Sequence, residues 1–125
     1  MSAKILYIED NADNRLLVRR ILMVEGYEVL EAEDGLTGID IAVREQPDLV
    51  LMDMNLPEID GYELTRRMRE NPDLRGVPII AMTANVMHGD REKTLEAGCD
   101  GYIPKPIDVD ALPLQIAEFL AAKRS

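Results

Sequence analysis

Apolar residues along the chain fall into five short runs, separated by stretches where they recur every third or fourth position. Lys4 to Ile8 and Leu49 to Asp53 are too short for helices and nearly continuous, as expected of strands buried on both faces. Tyr27 to Ala32, Val77 to Met82 and Asp100 to Ile103 read as three further strands. The helical period predicts a helix that follows Glu9-Asp10-Asn11-Ala12-Asp13 and runs to about Glu25, where Gly26 stops it. A second helix follows Asp34-Gly35, presents Leu36, Ile39 and Val43 and runs through Arg44, with Pro47 ending the unit. Glu58 to Glu70 is a third, broken by Asn71-Pro72-Asp73. Val86 to Ala97 is a fourth with a thin apolar stripe, and Gly89 costs it about 1 kcal/mol relative to alanine, so it is expected to be marginal and movable. Asp108 to Ala122 is the last, and Pro113 fits its first turn if the helix begins near Asp110.

Strict alternation of five strands and five helices with short links predicts an α/β fold, a five-stranded parallel sheet with helices on both faces. The expected strand order is 2-1-3-4-5, that of a flavodoxin-like (βα)5 sandwich. Strands one and three then lie side by side with connections leaving on opposite faces. A crevice is expected between Glu9-Asp10 and Asp53.

The 125 residues predict one domain, residues 1–125, with no room for a separate output module. A net charge of -10 argues against a nucleic-acid backbone as partner, because phosphate contacts need clustered Lys and Arg. Arg66, Arg67 and Arg69 are the densest basic group and read as the solvated face of one helix. The lone Cys99 permits no internal disulfide and reads as core filling. Met1-Ser2-Ala3-Lys4 leads directly into the first strand without a signal-peptide pattern, and no apolar stretch approaches the roughly 18 residues that span a membrane. The expectation is a cytoplasmic protein that binds neither nucleic acid nor membrane.

Candidate chemistry collects at the carboxyl ends of the strands, the edge where helix amino-termini converge. Asp53 alone would read as a turn cap. Two like charges about 4 Å apart repel by roughly 4 kcal/mol at an effective dielectric near 20, so Glu9, Asp10 and Asp53 together require a counter-ion or a raised pKa. Mg²⁺ suits them, because it prefers oxygen ligands and keeps positions open for phosphate oxygens. Strand four ends on Met82-Thr83-Ala84, which supplies a hydroxyl, and strand five on Ile103-Pro104-Lys105-Pro106, which supplies an ammonium. Asp53 as nucleophile, Mg²⁺ at Glu9 and Asp10, and Thr83 and Lys105 as donors meet the requirements of phosphoryl transfer: in-line positioning and neutralisation of charge on three oxygens.

This constellation resembles the receiver domain of two-component response regulators. The likeness rests on Ile8-Glu9-Asp10-Asn11, Leu51-Met52-Asp53-Met54-Asn55-Leu56-Pro57, Asp60-Gly61, Ala81-Met82-Thr83-Ala84, Ala97-Gly98 and Tyr102 through Pro106. It covers essentially the whole chain and is greatest to stand-alone members without an output domain. The resemblance implies that Asp53 accepts a phosphoryl group from a phosphohistidine on a sensor histidine kinase or histidine phosphotransfer protein. Asp10 would hold Mg²⁺ directly and Glu9 partly through water, with Asp53 and the main-chain carbonyl of Asn55 completing the protein ligands. The side chains of Asn55 and Asn85 would influence how water reaches the acyl phosphate. Lys105 would pair with a phosphoryl oxygen, and the Lys105-Pro106 bond would be cis. As Thr83 moves toward the phosphoryl group, Tyr102 would rotate into the vacated space and re-set the face of helix four, strand five and helix five for a downstream protein. Val86, Met87 and His88 lie at that face's edge. Helix one carries Leu16, Leu17, Val18, Ile21, Leu22, Met23 and Val24, more apolar residues than one core face needs, and Asn14 and Leu17 are candidate contacts for the phosphoryl donor. Such a signalling protein catalyses only its own phosphotransfer and autodephosphorylation.

Two rivals use similar parts. A phosphoryl carrier or sink in a phosphorelay needs the same site but no partner on the switched face. A haloacid-dehalogenase-like phosphatase needs a second Asp two residues after the first, where Asn55 stands and cannot usefully exchange a proton. A flavodoxin-type FMN site is excluded, because Glu9-Asp10-Asn11-Ala12-Asp13 would repel the flavin phosphate.

Overall fold

The computed structural model describes residues 2–84 and 90–123. Strands β1 (Lys4–Ile8), β2 (Glu28–Ala32), β3 (Leu49–Asp53), β4 (Ile79–Thr83) and β5 (Gly101–Pro104) alternate with helices α1 (Ala12–Val24), α2 (Gly35–Glu45), α3 (Gly61–Glu70), α4 (Asp90–Ala97) and α5 (Ala111–Lys123). The strands form one parallel sheet in the order β2-β1-β3-β4-β5, as expected. Strands β1, β3 and β4 are buried along almost their whole length, which is why they read as continuous apolar runs.

Alternate residues of each strand feed two cores. Ile5, Tyr7, Leu49, Leu51, Ile80 and Met82 meet Val18 and Leu22 of α1 and Leu112 and Ile116 of α5. Leu6, Ile8, Val50, Met52, Ile79 and Ala81 meet Ala42 of α2 and Leu64 and Met68 of α3. Cys99 is buried in this second core, the filling role expected for it. In the described part of α4, Thr94 and Ala97 are buried while Leu95 is exposed, so its apolar stripe is as thin as the sequence suggested. Asn85, Val86, Met87 and His88, together with Gly89, lie outside the described residues.

Side-chain caps place the helix starts facing the site. Asn11 Oδ1 accepts the Asn14 N–H at 2.9 Å, Asp34 Oδ1 the Thr37 N–H at 2.8 Å, and Asp60 Oδ1 the Glu63 N–H at 2.9 Å. The Asp60 cap corrects the expected start of α3. The helix begins at Gly61 and not at Glu58, whose φ of 68° is incompatible with a first helical turn. Strand β4 also extends one residue beyond Met82 and begins at Ile79, because Val77 belongs to the preceding turn and bonds back to Leu74. Helix α5 starts at Ala111 behind an Asp108 cap that accepts from the Asp110 and Ala111 N–H groups, which leaves Pro113 in the first turn.

Arg69 departs furthest from expectation. Arg66 and Arg67 are exposed, but the Arg69 guanidinium is turned into the far end of the sheet. Its Nε donates to Gly98 O at 2.8 Å, its Nη1 reaches the carbonyls of Leu74, Arg75 and Val77, and its Nη2 pairs with Asp100 Oδ2 at 2.6 Å. The same Asp100 oxygen accepts the Ile79 N–H, so one side chain ties α3, the entry to β4 and the α4–β5 turn together. Only a planar fork of donors can reach these acceptors from one position. Arg69→Met is expected to lower stability by about 2–4 kcal/mol in urea unfolding, with Arg69→Lys recovering less than half.

Candidate functional site

The register decides which acids meet. Ile8 pairs with Met52, so Glu9 and Asp53 emerge next to one another at the carboxyl ends of β1 and β3. Both are almost wholly buried, at 1% and 3% exposure, and Asp10 beside them is exposed. Each of the three can offer one carboxylate oxygen within 4.8 Å of the others. Lys105, in the loop after β5, brings its Nζ to 2.9 Å from Asp53 Oδ1 and 3.6 Å from Glu9 Oε1. The Asn55 N–H donates to Asp53 Oδ1 at 3.1 Å while the Asn55 side chain is exposed. Thr83 is buried at the end of β4, its carbonyl accepting the Lys105 N–H at 2.8 Å. The Lys105-Pro106 bond is cis, as expected. Among the described residues Lys105 is the cation whose charge reaches the carboxylates of Glu9 and Asp53, and three acids clustered around it offer an oxygen donor set that fits a small hard divalent ion.

Glu9 and Asp53 divide the strain unequally. Burial pushes the Glu9 carboxyl up to about 7, reinforced by its bond to Asp53, although Asn14 and Lys105 oppose the rise. Burial also disfavours ionised Asp53, but hydrogen bonds from Glu9, Lys105 and the Asn55 N–H outweigh it and hold that carboxyl below its ordinary value. Of the two, Glu9 is the readier to hold a proton and Asp53 the readier to ionise.

Tyr102 lies mid-strand in β5, paired with Ala81 and half-buried against the α2–α3 core. Leu17 is 39% exposed and, with Asn14, Ala84, Lys105, Pro106 and Ile107, lines a groove of about 430 Å³ beside the acids. Asn14 is not simply a surface residue, because its Nδ2 donates to Glu9 Oε1 at 2.9 Å. Tyr7, which the sequence reading passed over, donates its buried hydroxyl to the same oxygen at 3.3 Å. Arg15, likewise unremarked, donates from Nη1 to the Glu9 carbonyl at 2.7 Å. The signal for Tyr7 was available, since residues two apart on a strand share a face.

A doubly wound parallel sheet with an acidic pocket at its switch point defines the class: α/β proteins that act at the carboxyl edge of the strands. Residues 5–117 match the response regulator receiver domain, and the chain belongs to that family, whose members work in two-component signalling with kinases or phosphotransfer proteins. It is 39% identical over 120 residues to the polar-differentiation response regulator DivK of Brucella ovis, with 96% of this chain and 98% of the relative covered. The receiver domain of a Pseudomonas aeruginosa sensor histidine kinase, solved with a magnesium ion coordinated in the active site cleft, superposes with a TM-score of 0.88 at 38% identity, covering 97% and 99% of the two chains. The chemotaxis response regulator CheY4 of Vibrio cholerae gives a TM-score of 0.91 at 25% identity, covering 95% and 99%. Among the described residues no helix is long and apolar enough to cross a membrane.

The Glu9 shift has a sign that can be measured. Between pH 4.5 and 7 Glu9 of the folded, metal-free protein holds more proton than in the unfolded chain, so its contribution to stability falls as pH rises through that window. Glu9→Gln, whose amide mimics the protonated carboxyl, is expected to match the wild type near pH 4.5. Above pH 7 in chelator it should exceed it by on the order of 2 kcal/mol in urea unfolding.

Proposed function

We propose that this receiver accepts a phosphoryl group on Asp53 from a phosphohistidine donor, requires Mg²⁺, and switches partner binding through the face formed by α4, β5 and α5. The observation that carries the reading is the buried Asp53 carboxylate, paired with Lys105 at 2.9 Å and grouped with Glu9 and Asp10 within 4.8 Å. Glu9, Asp10, Asp53 and the Asn55 main-chain carbonyl are the residues that would hold the metal. When bound, Mg²⁺ supplies positive charge that offsets the excess of carboxylates and the charge on the transferring group.

In the transfer, an Asp53 oxygen attacks phosphorus, the P–N bond to imidazole breaks, and its electron pair leaves with the ring nitrogen. Asp53 is oriented by two donors to Oδ1, Lys105 Nζ and the Asn55 N–H, so the nucleophile enters the reaction with its carboxylate plane set. Lys105 then exchanges part of its pairing with Asp53 for a phosphoryl oxygen. The Thr83 hydroxyl, at the end of the adjacent strand, turns to another, and Tyr102 one strand further follows into the space released. Asn55 and Asn85 would govern access of water to the acyl phosphate. The proposed setting is the cytoplasm.

Intact mass after incubation with acetyl phosphate and Mg²⁺ tests the chemistry. One added phosphoryl group is expected in the wild type, lost in Asp53→Asn and in chelator; no adduct under any condition would overturn the assignment. The groove at Leu17 is the proposed docking point for the donor. Leu17→Ala is expected to slow transfer from a phosphohistidine protein roughly five- to ten-fold while labelling by acetyl phosphate is unchanged.

A further inference from the structure

Glu9 presents its carboxylate on a side chain with one more rotatable bond than aspartate, and the last torsion of a glutamate is broad and two-fold. A carboxylate free to turn about that bond makes a poor metal ligand, because the ordering cost falls on the binding step. In this protein the turn is blocked. Glu9 Oε1 accepts from Asn14 Nδ2 at 2.9 Å and from the Tyr7 hydroxyl at 3.3 Å, and it faces Lys105 Nζ at 3.6 Å. The backbone is held as well, with the Glu9 N–H on Ala32 O at 2.9 Å and the Glu9 carbonyl under Arg15 Nη1 at 2.7 Å. Asn14 is itself fixed from below, its own N–H capped by Asn11 Oδ1 at 2.9 Å.

From this grip we infer that Asn14, assisted by Tyr7, is a positioning residue for the metal site: it pins one oxygen of Glu9 so that the carboxylate is preset for Mg²⁺. The inference rests on the reading of Glu9, Asp10 and Asp53 as a Mg²⁺ site. Lys105 and Tyr7 cannot replace Asn14, the first because it is shared with Asp53 and the second because its bond is longer. Partners of this kind, one bond removed from a metal, typically alter affinity by about 10- to 100-fold.

The test is a double-mutant cycle read by calorimetric titration of the metal-free protein with Mg²⁺ alone, using the wild type, Asn14→Ala, Glu9→Ala and the double variant. Asn14→Ala is expected to weaken Mg²⁺ binding about ten-fold when Glu9 is present and less than two-fold when it is absent. Tyr7→Phe, which removes only a hydroxyl, should weaken it in the same direction and gives a second reading if Asn14→Ala proves poorly folded by urea unfolding. Equal weakening in both Glu9 backgrounds, or no weakening by either variant, overturns the inference while leaving the metal site intact. Absence of Mg²⁺ binding by the wild type overturns the metal site and the inference with it.

Discussion

The burial of two carboxylates on neighbouring strand ends is the constraint around which the rest of this molecule is arranged. Adjacent parallel strands stand about 4.8 Å apart, so the β1–β3 register forces Glu9 and Asp53 into contact whatever their side chains prefer. Water cannot screen them at 1% and 3% exposure. Each nearby polar group answers that crowding: Lys105 sits between the acids, Asn14 and Tyr7 donate to one, and the Asn55 N–H donates to the other. A pocket stabilised this way holds more negative charge than its own cation neutralises. It is therefore built to gain from a divalent ion.

Such strain requires a framework that does not yield, and the sheet supplies it. Strands β1, β3 and β4 are packed on both faces by α1 and α5 on one side and α2 and α3 on the other. At the end remote from the acids, Arg69 and Asp100 lock α3, β4 and the α4–β5 turn into one unit. Gly98 belongs to this lock: its φ of 112° suits glycine, and a Cβ there would fall 2.8 Å from Arg69 Cγ. The chain thus separates a rigid end from a chemically loaded one, with α4 anchored on the described part by little more than Thr94 and Ala97.

Much of this was legible in the linear pattern. Strands β1 and β3 read correctly because double-sided burial writes an apolar run into the chain, and Gly26, with a φ of 89°, closes α1 where expected. Glu9, Asp10, Asp53, Thr83 and Lys105 were named because each ends a strand or lies within two residues of its end, whereas the Tyr7 hydroxyl, inside β1, was not. Helix α3 misled because Glu58 suits helical periodicity, while its positive φ is imposed by the loop that must carry the chain from Asp53 to the Asp60 cap. Arg69 was misread because arginine on a polar helix is solvated more often than it is folded back.

What the sequence by itself determined, then, is the alternation of strands and helices and the chemical inventory at the strand ends, because both are set by residues close together in the chain. Only the tertiary structure decided which of those groups touch. The Asn14 contact to Glu9, the opposed shifts of the Glu9 and Asp53 carboxyls, and the Arg69 lock all depend on how separate elements pack. The distances involved come from strand pairing and helix packing, which bring together residues carried on different elements.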